Sequence, residues 1–69
     1  MTAKQYVKNK YPNARNLRGS RKIDLGYVYY HQIISDVVIE DYIVLGEGYT
    51  SPRAWSDAKY KQKIKEIKL

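Results

Sequence analysis

The sequence predicts an α+β fold: a two-layer sandwich in α-β-β-β-α order, with an antiparallel three-stranded sheet carrying two helices on one face. Three observations predict it. The N-terminus pairs a capping residue with helical spacing. The middle of the chain alternates with period two and is rich in β-branched residues. Finally, Gly46-Glu-Gly-Tyr-Thr-Ser-Pro-Arg-Ala-Trp-Ser-Asp-Ala58 reads as a strand end, a glycine turn and a capped helix start.

Thr2 followed by Gln5 is a capping-box pair, so a helix starts at Ala3. Ala3, Tyr6, Val7 and Tyr11 recur at helical spacing, and Pro12 disfavours helical geometry at Tyr11. From Asn13 to Ser20 the chain is polar, with Leu17 as its anchor. It is either an edge strand or a loop, and Gly19-Ser20 forms a turn. Lys22 to Ile34 reads as one strand, because Ile23, Leu25, Tyr27 and Tyr29 alternate with more polar neighbours. Ser35-Asp36 is the expected turn and Val37 to Leu45 the partner strand, with a bulge or bend at Glu40-Asp41. Gly46 and Gly48 then turn the backbone, Ser51 caps the second helix and Pro52 occupies its first position.

Sixty-nine residues make a single domain over 1–69, near the lower limit for folding on a hydrophobic core alone. There is no cysteine, so neither disulfides nor thiolate–zinc clusters reinforce it. With no membrane span and no signal-peptide core, the expected location is the cytoplasm. Thirteen Lys and Arg against seven Asp and Glu give a net charge of +6, which favours a polyanion as partner and argues against a DNA mimic. Solubility alone would also account for it. Eight Tyr and one Trp with no Phe are the other departure from average composition. Tyrosine can finish a core, fill an interface or stack on bases.

The start of the second helix offers unpaired N–H groups and a partial positive charge, with Arg53 in its first turn, so it could attract phosphate or carboxylate. The simpler alternative is structural: the glycines turn, Ser51 caps, Ala54 and Ala58 face the sheet and Trp55 anchors the core. No Gly-Lys-Ser/Thr follows, which excludes a nucleotide-hydrolase loop. Here Gly46, Gly48, Thr50, Ala54 and Ala58 resemble the strand-to-helix junction of double-stranded-RNA-binding domains, G-x-G-x-S-K-K-x-A-K-x-x-A-A. That resemblance implies the same element order. The family's phosphate-binding lysines fall on Ser51, Pro52 and Trp55, none of them basic, so it implies the fold more than the activity. Leu45 to Ala58 is also similar to a motif, L-G-E-G-x-T-x-x-A-W-x-x-A, of small phage and prophage proteins, with one extra residue between Thr50 and Ala54. This second resemblance implies an accessory factor that acts by binding, in the host cytoplasm, and carries over no catalytic residue.

On the second helix, Ala54, Trp55 and Ala58 share one face while Tyr60, Ile64 and Ile67 fall on nearly the opposite one. Either the helix ends or bends near Lys61, or that second stripe is an exposed partner surface. Lys59, Lys61, Lys63, Lys65 and Lys68 surround it, and Arg15, Arg18, Arg21 and Lys22 form a second basic cluster. A shared side for the two clusters strengthens a polyanion contact, and opposition weakens it. His31 is the only histidine, and no Ser–His–acid set or zinc spacing is recognisable, so no enzyme, no catalytic residue, no metal and no cofactor is expected.

The expectation is therefore a non-enzymatic binding module. It would contact nucleic acid through Arg15, Arg18, Arg21, Lys22, Arg53, Lys61 and Lys65, with tyrosines such as Tyr30 and Tyr49 stacking on bases. The alternatives are a protein-binding inhibitor or adaptor directed at a host defence or replication protein, acting through Tyr60, Ile64 and Ile67, and a structural subunit that forms homo-oligomers through a sheet edge.

Overall fold

Thr2 starts the first helix as its sequence predicts. Its Oγ1 accepts the Gln5 N–H at 3.1 Å, while the Gln5 Oε1 accepts the Thr2 N–H at 3.0 Å. Two donors that a helix start leaves unpaired are thus satisfied reciprocally. In the computed structural model, which describes residues 1–38 and 41–67, this helix, α1, runs Ala3–Lys10. Tyr11 ends it as C-cap, donating its N–H to the Val7 carbonyl at 2.9 Å. Val7 is fully buried, and Ala3, Tyr6 and Tyr11 pack partly buried against the same core.

The sheet is antiparallel with order β1-β2-β3, formed by β1 (Arg15–Ile23), β2 (Gly26–Val38) and β3 (Asp41–Gly48). The element order is α-β-β-β-α and the fold is α+β. Inside that frame several expected boundaries move. The stretch 13–20 is mostly strand, and Gly19-Ser20 lies within β1. The single strand expected over 22–34 is instead a hairpin, broken by a two-residue turn at Asp24-Leu25, with Ile23 paired to Gly26. Gly26 has φ 134°, a conformation that L side chains rarely adopt. The apparent stripe Ile23-Leu25-Tyr27-Tyr29 therefore runs across a turn. Tyr27 and Tyr29 pair with Lys22 and Ser20, on the sheet face opposite Ile23.

Ser35-Asp36 is likewise not a turn. Both residues lie in β2, paired with Ile43 and Tyr42, and β2 continues to Val38. The register irregularities fall between Ile33 and Ile34 and between Asp36 and Val38; the bulge or bend expected at Glu40-Asp41 rests partly on Glu40, outside the described residues. At the first irregularity Ile33 pairs with Gly46 but Ile34 with Val44, so Leu45 is the extra residue. Leu45 is buried in the core beside Ile33, on the side that Gly46 presents to the second helix.

The second helix, α2, runs Ser51–Ile67. Thr50, not Ser51, caps it: the Thr50 Oγ1 accepts the Arg53 N–H at 3.3 Å and the Thr50 carbonyl accepts the Ala54 N–H at 2.9 Å. Gly46 and Gly48 do not turn the chain either. They are strand residues whose missing side chains let α2 lie directly on β3. A Cβ at Gly46 would stand 2.4 Å from the Ala58 nitrogen, and one at Gly48 2.9 Å from the Ala54 nitrogen. Ala54 and Ala58 are fully buried along this seam, and Trp55 beside them is 7% exposed. α1 packs against α2 and adds Val7 to the core that they build with Ile33 and Leu45. No helix among the described residues is long and apolar enough to cross a membrane.

Candidate nucleic-acid interface

β1 and β2 pair over nine positions, from Arg15 with Ile34 to Ile23 with Gly26. β3 pairs with β2 only as far as His31 with Gly48. Because α2 turns back over β3, the far part of the β1–β2 hairpin has neither a third strand nor a helix on it. The result is a two-stranded arm. Its apolar and aromatic side chains stay in water, with Leu25 at the tip 97% exposed, Tyr27 66% and Tyr29 58%.

A two-stranded ribbon with bare faces is marginally stable, so cross-strand contacts have to hold it. Two diagonal Arg–Tyr pairs do this on opposite faces. The Arg18 guanidinium lies over the Tyr29 ring at 5.2 Å on the helix side. The Arg21 guanidinium lies over Tyr30 at 5.8 Å on the open side. Cross-strand and cation–π pairs of this kind each contribute about 0.5–1 kcal/mol at exposed sites. Tyr30 is seated in turn by Gly19, where a Cβ would lie 2.7 Å from its ring. Lys22 stands opposite Tyr27. At the base of the arm His31 shares a hydrogen bond with Asn16, Nδ1 to Nδ2 at 3.1 Å.

The expected nucleic-acid residues divide. Arg18, at the base of the arm, and Lys22, near its tip, lie on its helix-side face, and Arg21 lies on its open face. Arg53 joins them from the first turn of α2: it lies against Gly48, which pairs with His31, which pairs with Arg18. Two strand spacings put this row at about 10 Å. Arg15 instead lies at the body end of β1, with its guanidinium 3.5 Å from the Asp36 carboxylate. Lys61 is bound to Asp57 at 2.9 Å. Lys65 is exposed in the last turn of α2, and Lys68 lies outside the described residues.

The two basic clusters thus occupy opposite ends of a molecule 42 Å long. Arg53 and Ala54 meet Gly48 while Ala58 meets Gly46, so α2 runs away from the hairpin tip. Strand and helix rises separate Lys22 from Lys63 by roughly 25–30 Å along that axis. They do not form one patch. At the far end Lys10, Lys59 and Lys63 gather on one ring, 5.6, 5.7 and 5.8 Å from Tyr6. The Tyr6 hydroxyl donates to Glu66 at 2.8 Å, and Glu66 also pairs with Lys10. This cluster fastens α1 to α2.

α2 is helical through Ile67, so the second stripe is not removed by an early helix end. Tyr60 and Ile67 are exposed, 64% and 81%, while Ile64 is half-buried. The inner stripe runs on through Gln62, whose Oε1 accepts the Tyr11 hydroxyl at 3.5 Å. Gln62 follows Ala58 at i+4, so spacing alone could have found it. Asp57 is a second residue whose role the sequence concealed. Its Oδ2 accepts the Glu47 N–H at 3.0 Å, pinning α2 to β3. Desolvation pushes its pKa up, but the Glu47 N–H and Lys61 outweigh that and hold it below the ordinary carboxylate value.

Among the described residues no group of three His, Asp or Glu side chains is placed to hold a metal ion. Comparison with family models, with curated proteins and with solved structures gives no match.

Proposed function

We propose that this chain is a non-enzymatic nucleic-acid-binding module that engages its ligand through the β1–β2 arm. The observation that carries this reading is the arm's make-up. Arg21 and Lys22 share it with Tyr27, Tyr29 and Tyr30 on a ribbon beyond the end of β3, and Arg18 stands at its base, paired with His31 where β3 stops. Cations neutralise phosphates and give affinity without reading sequence, and exposed aromatic rings stack on bases. Arg53 and the first turn of α2 extend the cationic row toward the body.

The test is fluorescence anisotropy with labelled oligonucleotides across a salt series. The expected result is binding that weakens steeply with salt, and a triple variant Arg18→Ala, Arg21→Ala, Lys22→Ala in which most of that binding and most of its salt dependence are gone. Equal binding by the triple variant and the parent would discard the arm. A second reading is favoured by one observation, the exposure of Tyr60 and Ile67 on a helix that stays continuous beneath them. Under that reading a partner protein docks on α2. Its mark would be partner capture that survives the triple arm variant and is lost in Ile67→Asp.

A further inference from the structure

Where β3 stops and the arm continues, the sheet has a step. At this step, on the open face, lies a cleft of about 320 Å³ lined by Arg21, Ile23, Val28, Tyr30, Glu47 and Tyr49. Its size is at the small end of ligand sites. Its lining combines two tyrosines and two aliphatic side chains with one cation and one anion. We propose that this cleft takes a single unstacked nucleobase carrying an exocyclic amine, presented by a single strand of DNA or RNA. The proposal rests on the nucleic-acid reading above and specifies which form of the ligand the arm serves.

Three features converge on it. Tyr30 packs closely on Gly19, and Tyr49 projects 67% exposed from the end of β3, so one packed and one exposed ring flank the space. Arg21 stays over Tyr30 and forms no ion pair with Glu47, which leaves its outer N–H groups for a phosphate. Glu47 is held at its backbone by Asp57, and its carboxylate has no partner among the described residues. A carboxylate only accepts hydrogen bonds, so it suits the amine of cytosine, adenine or guanine and repels the carbonyl edge of thymine or uracil. Duplex bases are stacked and paired and cannot enter such a cleft. Bases of a single strand can.

The experiment compares the full chain with Tyr49→Ala, Glu47→Gln and the triple arm variant. The probes are oligo-dC, oligo-dT and oligo-rC of ten nucleotides and a duplex of the same length, all at one low salt concentration. Tyr49 and Glu47 are both exposed, and circular dichroism verifies that each variant folds. We expect oligo-dC to bind about fivefold or more tightly than oligo-dT, from one amine–carboxylate contact. Glu47→Gln should bring that preference below twofold, and Tyr49→Ala should weaken single strands about tenfold while leaving the duplex unchanged. Oligo-rC against oligo-dC separates the two sources of the strand. Single-strand binding that falls in the triple variant but ignores Tyr49→Ala and Glu47→Gln would overturn the cleft and leave the arm standing. A duplex that binds more tightly than oligo-dC overturns the cleft as well. An absence of binding to every probe overturns both.

Discussion

The arm and the far end of α2 carry similar charge and similar aromatic residues, yet they use them in opposite ways. At the α2 end, Lys10, Lys59 and Lys63 crowd one tyrosine whose hydroxyl is tied to Glu66, and the set joins two helices. On the arm, Arg18 and Arg21 each lie over a tyrosine of the same hairpin. The first arrangement spends its cations on internal contacts. The second leaves guanidinium donors facing outward. A count of basic residues cannot separate the two cases, because the difference lies in whether a carboxylate and a second element are within reach.

The largest expected effect belongs to the body that supports both ends. Gly46→Ala would place a methyl 2.4 Å from the backbone of Ala58, so α2 has to shift as a unit. Overpacking of this kind costs about 3 kcal/mol. A chain of this size has a total stability of about 3–10 kcal/mol, so about a third or more of it is lost and the melting midpoint should fall by about 12–24 °C. Thermal denaturation followed by circular dichroism checks this. A midpoint within a few degrees of the parent would mean that α2 does not lie on β3 as closely as the seam requires.

Next comes the arm. Replacing Arg18, Arg21 and Lys22 together by Ala should lower affinity for nucleic acid about 30- to 100-fold at low salt and flatten the salt slope by about two to three. The melting midpoint should move less than in Gly46→Ala, because losing the two Arg–Tyr pairs costs about 1–2 kcal/mol and loosens the arm rather than the body. Binding and stability therefore part company on the arm and coincide in the seam. A triple variant that melts far below the parent would erase that contrast.

The contrast also explains which parts of the molecule could be read from the sequence. Both helices were legible, because the Thr2–Gln5 box, the Ala3-Tyr6-Val7-Tyr11 stripe and the Ala54-Trp55-Ala58 triplet are local patterns. The hairpin was not. Asp24 and Gly26 are turn residues, but Ile23-Leu25-Tyr27-Tyr29 keeps period two straight through them and masks the turn, although its members face opposite sides of the sheet. Gly46 and Gly48 are ambiguous in the sequence, because glycine signals either a sharp bend or a close approach. Only the position of α2 decides between them. Of the candidate site, the identities of Arg18, Arg21 and Lys22 were visible, but the pairing of Arg15 with Asp36 and of Lys61 with Asp57 depends on tertiary contacts.

A smaller effect is expected at the junction between the two regions. Asp57→Asn should destabilise the fold by about 1 kcal/mol at neutral pH, by weakening the bond to the Glu47 N–H and removing the attraction to Lys61. The folded pKa of Asp57 lies below its ordinary value of 3.8. Its stabilisation is therefore fully present above that value and is lost as pH falls through the lowered folded pKa. Urea denaturation at pH 7 and at pH 3 should show the gap between parent and variant narrowing in acid. A gap that widens instead would show that the carboxylate is not the group held by Glu47 and Lys61.

The smallest effect should come from Arg15, and it tests where the arm ends. Arg15 belongs to the same strand as Arg18 and Arg21 and has the same chemistry, so any account based on charge alone predicts equal losses. Its guanidinium is instead committed to Asp36, at the body end of the sheet. Arg15→Ala frees one carboxylate as it removes one cation, but at a place outside the proposed contact. We expect its affinity to stay within twofold of the parent, with the salt slope unchanged. Arg18→Ala alone should reduce that slope by about one. Equal slopes for the two single variants would extend the footprint along the whole of β1, and the distinction between a free arm and an occupied body would no longer describe how this chain holds its ligand.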